Sequence, residues 1–214
     1  MIRNAEVPTQ KVELKPRKQP AQRRAEETVT LILDTSAQLL SKLGLEDFNT
    51  NLLAQQAGLR VSTVYRYFPN KHAILTALVQ NLRDAILEAL TSVKGDNDDW
   101  RSVIIEYIDA YVALCREHEG FLAIRRAMQS TPKLRGIEKE METKLSSSIA
   151  KLLQKKGVKI QAPDLNQVIQ VFFVSGSAIY DLAWLKGKKD RDAEEAIIRE
   201  LKTMAISYLS NYCS

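Results

Sequence analysis

Residues 49–71 read NTNLLAQQAGLRVSTVYRYFPNK, and the punctuation of this stretch decides what its surroundings must be. Asn49 is a helix-capping residue type, able to accept from backbone N–H groups two or three positions on. Leu52, Leu53, Ala54 and Ala57 then supply apolar positions at helical spacing. Gly58 can take the left-handed backbone that ends a helix in a sharp turn. A second helix is expected from Arg60 or Val61 to Tyr67 or Phe68, since Pro69 disfavours helical geometry in the residue before it, and Asn70 can cap a third. Two short helices about a glycine turn form the helix-turn-helix pattern.

In that pattern the second helix lies in the DNA major groove with its N-terminal residues at base edges. Here those residues are Arg60, Val61, Ser62, Thr63 and Arg66. Arginine pairs with guanine through two donors, hydroxyls bond several edges, and Val61 or the Thr63 methyl suits a thymine methyl. Tyr65, Tyr67 and Lys71 suit phosphate oxygens, which set register without reading sequence. The competing reading is an amphipathic helix whose tyrosines simply pack.

Four separated pieces carry a family resemblance: ILDTSAQLLSKLGLEDF at residues 32–48, LLAQQAGL at 52–59, TVYRYFPNK at 63–71, and the AIL that follows. Falling in register, they make residues 24–75 resemble the DNA-binding domain of the TetR (tetracycline repressor) family of bacterial transcriptional regulators. The resemblance covers about a quarter of the chain. It implies an all-α fold with an N-terminal three-helix helix-turn-helix domain and a C-terminal helical bundle for effector binding and dimerisation. It also implies a sequence-specific repressor, released from a palindromic double-stranded DNA operator by a small-molecule effector. Two departures stand out: Arg60 replaces the family's usual Ser or Thr cap, and Ser62 a frequent glycine. Losing a side-chain cap costs about 1 kcal/mol, which a contact from Arg60 to phosphate or guanine could offset.

With 214 residues, 45% apolar and 27% charged, the chain has the composition of an ordinary globular protein. Its net charge of +5 is concentrated: residues 1–24 hold seven basic side chains against two acidic ones, so the rest sums to zero. Residues 1–20 read as a disordered basic arm, rich in proline and poor in large apolar residues. Such an arm either adds DNA affinity through counterion release or merely solvates the protein. No apolar run approaching a membrane span and no secretory signal is read, and Cys115 and Cys213 match no metal spacing. A cytoplasmic protein with free thiols, no cofactor and no membrane partner is expected.

Residues 21–72 are read as the DNA-binding domain and 73–214 as the effector-binding and dimerisation domain. A first helix over 21–43 precedes Gly44, and a long helix from Asn70 to about Val93 links the two parts. Further helices are expected over 100–118, 121–130, 132–156, 163–186 and 190–208, broken at Gly120, Gly157 and Gly187. The 163–186 segment is apolar nearly all round and must be covered on more than one side. With the last helix it forms either monomer core or a two-fold dimer interface, and Phe173, Gly176, Tyr180, Ile197, Leu201 and Met204 are the candidate interface residues. The resemblance favours the dimer.

His72 and His118 stand alone without ligand-spaced partners, and no catalytic motif is present, so an enzyme is not expected. Trp100, Tyr107, Tyr111, Phe121 and Phe172 are candidates to line an effector pocket, with Glu106 or Asp109 as polar contacts; the alternative for each aromatic is ordinary core. A ligand-binding or protein-binding adaptor of the same fold, without an operator, is the other functional reading.

Overall fold

The computed structural model describes residue 13 and residues 23–95, 99–118, 120–158 and 162–213. Apart from Glu13, the basic arm lies outside the described residues, as does the acidic turn at 96–98. Among the described residues the regular structure is entirely helical, and the fold is all-α. The chain divides into two compact units, Met1–Val79 and Gln80–Ser214.

In the first unit α1 (Arg23–Asp47) buries Ile32, Leu33, Leu39 and Leu40 on one stripe. Gly44, at φ 79° and ψ −177°, interrupts it at the point expected for its end, and one more turn follows. α2 (Thr50–Gln56) starts under Asn49, whose Oδ1 accepts from the Leu52 N–H at 3.0 Å. Its other end is a Schellman turn. Gly58, at φ 65°, donates to the Gln55 carbonyl, and the Leu59 N–H reaches back to Ala54 at 2.8 Å. α3 (Val61–Tyr67) stops at Phe68, whose backbone before Pro69 is extended. The Asn70 side chain then caps α4 (Lys71–Thr91), accepting from the Ala73 N–H at 3.0 Å. Ala73 to Val79 are buried without interruption, so the first compact unit runs seven residues past the border read at residue 72.

In the second unit α5 (Trp100–Glu117) is capped by Asp99, which accepts from the Arg101 N–H. α6 (Phe121–Ser130) follows Gly120. Where one helix was expected from Pro132, the structure has a 3₁₀ turn, Pro132–Leu134, leading into α7 (Arg135–Lys155). The Leu134 N–H closes that turn on Thr131 at 2.9 Å, an i→i+3 bond in place of the α-helical one. α8 (Ala162–Gly187) packs along α9 (Arg191–Leu209) and against α7, and α5 also meets α9. α5 and α9 share a charge cluster around one buried carboxylate: Glu194, 2% exposed, accepts from Arg116 at 3.0 Å and Arg191 at 2.9 Å. Cys115 and Cys213 are both unpaired and buried, and burial raises the Cys213 thiol to about 11.

Candidate nucleic-acid interface and ligand cavity

α3 has two faces. Arg60, Val61, Ser62, Tyr65 and Arg66 are exposed, and Thr63 and Lys71 are half-buried. Val64, Tyr67 and Phe68 point the other way and are buried. Tyr67, expected as a phosphate contact, is 7% exposed, so its ring belongs to the packing that holds α3 in place. The reason is helical phase, since Tyr67 lies three residues from the fully buried Val64. Tyr65 is 40% exposed, and its hydroxyl lies 3.0 Å from the Thr50 hydroxyl at the start of α2. Thr50 was not picked out from sequence; a cross-helix hydrogen bond fifteen residues away has no local signature. Arg60 occupies the cap position of α3 in extended conformation without any side-chain capping bond, leaving its guanidinium exposed.

The second unit encloses a cavity of about 370 Å³ lined by residues of α4, α5, α6, α7, α8 and α9. Of the predicted aromatics, Tyr107, Tyr111 and Phe172 line it. Trp100 and Phe121 do not and are corrected to core positions. The Trp100 ring packs under the Arg101 guanidinium at 4.7 Å, and Phe121 stands edge-on to Tyr111, with ring centres 5.7 Å apart. Glu106 is not in the wall, and Asp109 is occupied by an ion pair with Lys202.

The polar lining was missed from sequence. Arg125 is 6% exposed and donates to Asp181 at 2.8 Å, to the Tyr111 hydroxyl at 3.2 Å and to the Ser177 carbonyl at 3.3 Å. Its Nε, the second Asp181 oxygen and the Tyr107 hydroxyl are buried without a hydrogen-bond partner. Burial raises the Asp181 carboxyl above the usual range, against the lowering pull of Arg125 and Arg126. On α7, Glu138, Met141, Glu142 and Leu145 share the inward stripe. That spacing of three, four and seven was legible, but two carboxylates on a charged helix read as solvated face. Burial, reinforced by the charge of Glu138, raises the Glu142 carboxyl.

A carboxyl raised in the folded state makes the fold most stable below its unfolded pKa, and that stability is lost as pH rises toward the folded value. Glu142→Gln is accordingly expected to raise the melting temperature at pH 7 by a few degrees at most. The gain should vanish below the ordinary glutamate range, as thermal melts across pH would show.

The predicted interface residues divide. Tyr180 and Leu201, at 2% and 3% exposure, are buried within the chain itself and are corrected to monomer core. Tyr180 stands edge-on to Tyr111, with centres 5.5 Å apart. Phe173 and Gly176 line the cavity, as does Leu201. Ile197 and Met204 are half-buried. The apolar surface left open lies instead on Val171, Val174, Leu182 and Leu185 of α8, a stripe at helical spacing. Residues 167–187 are, by length and composition alone, apolar enough to cross a membrane, a property shared by core helices of globular proteins, and this helix is partnered by α9 and α7. Among the described residues no group of three or more His, Cys, Asp and Glu side chains is placed to hold a metal.

Among the described residues a helix-turn-helix unit is thus followed by a helical unit that bears a cavity. Residues 32–78 match the family described as bacterial regulatory proteins, tetR family, and residues 98–213 match the tetracyclin repressor-like C-terminal domain. The chain belongs to the TetR family. It is 33% identical over 73 residues to the tetracycline repressor protein class C of Escherichia coli, covering 34% of this chain and 32% of that protein. It is 35% identical over 86 residues to the HTH-type transcriptional regulator EthR of Mycobacterium tuberculosis, covering 37% of this chain and 40% of that one. A TetR-family transcriptional regulator from Streptomyces coelicolor superposes with a TM-score of 0.64 at 25% identity, covering 86% of this chain and 98% of the other. The chain spans between a third and a half of the length of the curated relatives it matches.

Proposed function

We propose that this chain is a sequence-specific DNA-binding transcriptional regulator, a repressor that leaves its operator when a small molecule fills the cavity of the second unit. The observation that carries the reading is the exposed leading edge of α3, Arg60 to Ser62 with Tyr65 and Arg66 and the half-buried Thr63 between them, held by a buried opposite face. As a homodimer joined through the open apolar stripe of α8, it would read a palindrome with half-sites about 34–36 Å apart, one helical turn of DNA. The effector acts by preferring a conformation in which the two reading helices are mis-spaced, and shifts binding only as far as that preference extends.

Selection of bound sequences from a random oligonucleotide pool tests this directly. A two-fold-symmetric consensus is expected, and recovery of no consensus overturns it in favour of an adaptor with the same fold. Tyr65→Ala or Lys71→Ala should weaken binding about equally on all sequences and flatten its salt dependence, by a slope change of about 1 for Lys71. Arg66→Ala or Thr63→Ala should instead change base preference, with about 1–3 kcal/mol lost at one position. Titrations on matched and mismatched duplexes at two salt concentrations separate the two classes.

A further inference from the structure

The cavity wall has an uncompensated charge. Its Arg, Lys, Asp and Glu members are Arg125, Asp181, Glu138 and Glu142. Arg125 and Asp181 neutralise each other at 2.8 Å, and Arg126 also acts on Asp181. Among the described residues neither Glu138 nor Glu142 has an ion-pair partner, and the two lie one helical turn apart on α7. The rest of the wall is aromatic and aliphatic, including Tyr107, Tyr111, Phe172 and Phe173. Two further features mark the space as built to receive a molecule: the Tyr107 hydroxyl and the Arg125 Nε are buried at its wall without partners, on side chains 2% and 6% exposed.

An anionic guest would bring its charge beside two carboxylates, with the single lining cation already engaged. A neutral guest would desolvate those carboxylates without compensating them. A cation carried on an apolar body offsets both and places its charge against aromatic faces that attract it. We infer that the effector of this chain is a lipophilic monocation, an amine or onium compound whose charge lies by Glu138 and Glu142 and whose apolar body lies on the aromatic wall. This rests on the reading of the cavity as the effector site. The local preference runs against the chain's overall charge of +5, which by itself favours anions.

The test uses the full chain and the neutral dye N-phenyl-1-naphthylamine, whose fluorescence reports occupation of an apolar cavity. Tetraphenylphosphonium and tetraphenylborate, alike in shape and opposite in charge, are then used to displace it. The phosphonium is expected to displace the dye at a concentration at least about tenfold lower than the borate. In Glu138→Gln/Glu142→Gln that preference should shrink to within about threefold while the neutral dye binds at least as tightly as before, its binding showing that the variant is folded. The inference is overturned if the dye binds the unaltered chain and the borate competes as well as the phosphonium. It is equally overturned if the preference survives in the double variant. Failure of the dye and of both ions to bind overturns the effector-cavity reading itself, so the two failures are distinct.

Discussion

Arg125→Ala is expected to destabilise the second unit by about 3–5 kcal/mol, the range for removing one partner of a buried ion pair. Arg125 is 6% exposed and serves three acceptors on two other helices: Asp181 and the Ser177 carbonyl on α8, and the Tyr111 hydroxyl on α5. Its loss strands a carboxylate that burial already disfavours in the charged form. Protonation of Asp181 relieves part of this, so the deficit should narrow below the ordinary aspartate range and be largest at neutral pH. Replacing the pair together, as Arg125→Met/Asp181→Leu, should recover most of the stability, because no charge is then left unpaired. Urea midpoints for the two variants check this, and a loss below about 1 kcal/mol in Arg125→Ala would mean that water reaches the site.

Phe68→Ala should have a comparable effect on the first unit, about 3–5 kcal/mol for truncating a buried phenylalanine. The ring is 1% exposed and lies at the residue where α3 ends, beside the buried Val64 and Tyr67. DNA binding is expected to fall with it on every sequence, because the exposed face of α3 is positioned only by its buried one. Tyr65→Ala supplies the contrast. Its ring is 40% exposed, so its stability cost should be confined to the Thr50 hydroxyl contact, about 1 kcal/mol. Thermal unfolding beside DNA titration separates a residue that holds the helix from one that touches the ligand. Equal stability losses in the two variants would place Tyr65 in the core.

Much of the first unit was legible because its determinants are local. The Asn49 cap, the Gly58 turn, the Pro69 stop and the Asn70 cap each act within a few residues of themselves. The facing of α3 was less so: Tyr65 and Tyr67 are the same residue type two positions apart, and only the phase of a seven-residue helix separates exposed from buried. In the second unit the helices were read nearly end to end, yet the cavity was half-read. Tyr107, Tyr111 and Phe172 came from aromatic spacing, whereas Arg125, Asp181 and the α7 glutamates did not. A charged residue on an amphipathic helix signals solvent unless something from elsewhere in the chain closes over it. In α7 that misreads Glu138 and Glu142, and in α6 it misreads Arg125, whose carboxylate partner is 56 residues away. On α8, Val171, Val174, Leu182 and Leu185 stand open within the single chain, where sequence alone left core and interface undecided.

Sequence alone determined which segments are helical, to within about a turn where they begin and stop, and that a short helix follows a glycine turn, because caps, turns and prolines are decided by neighbours in the chain. Tertiary structure alone decided which side of each helix is a surface, which charges neutralise one another and which carboxylates are left over to meet a ligand. Burial and charge compensation are set by groups brought together from distant positions, and no short-range pattern records them.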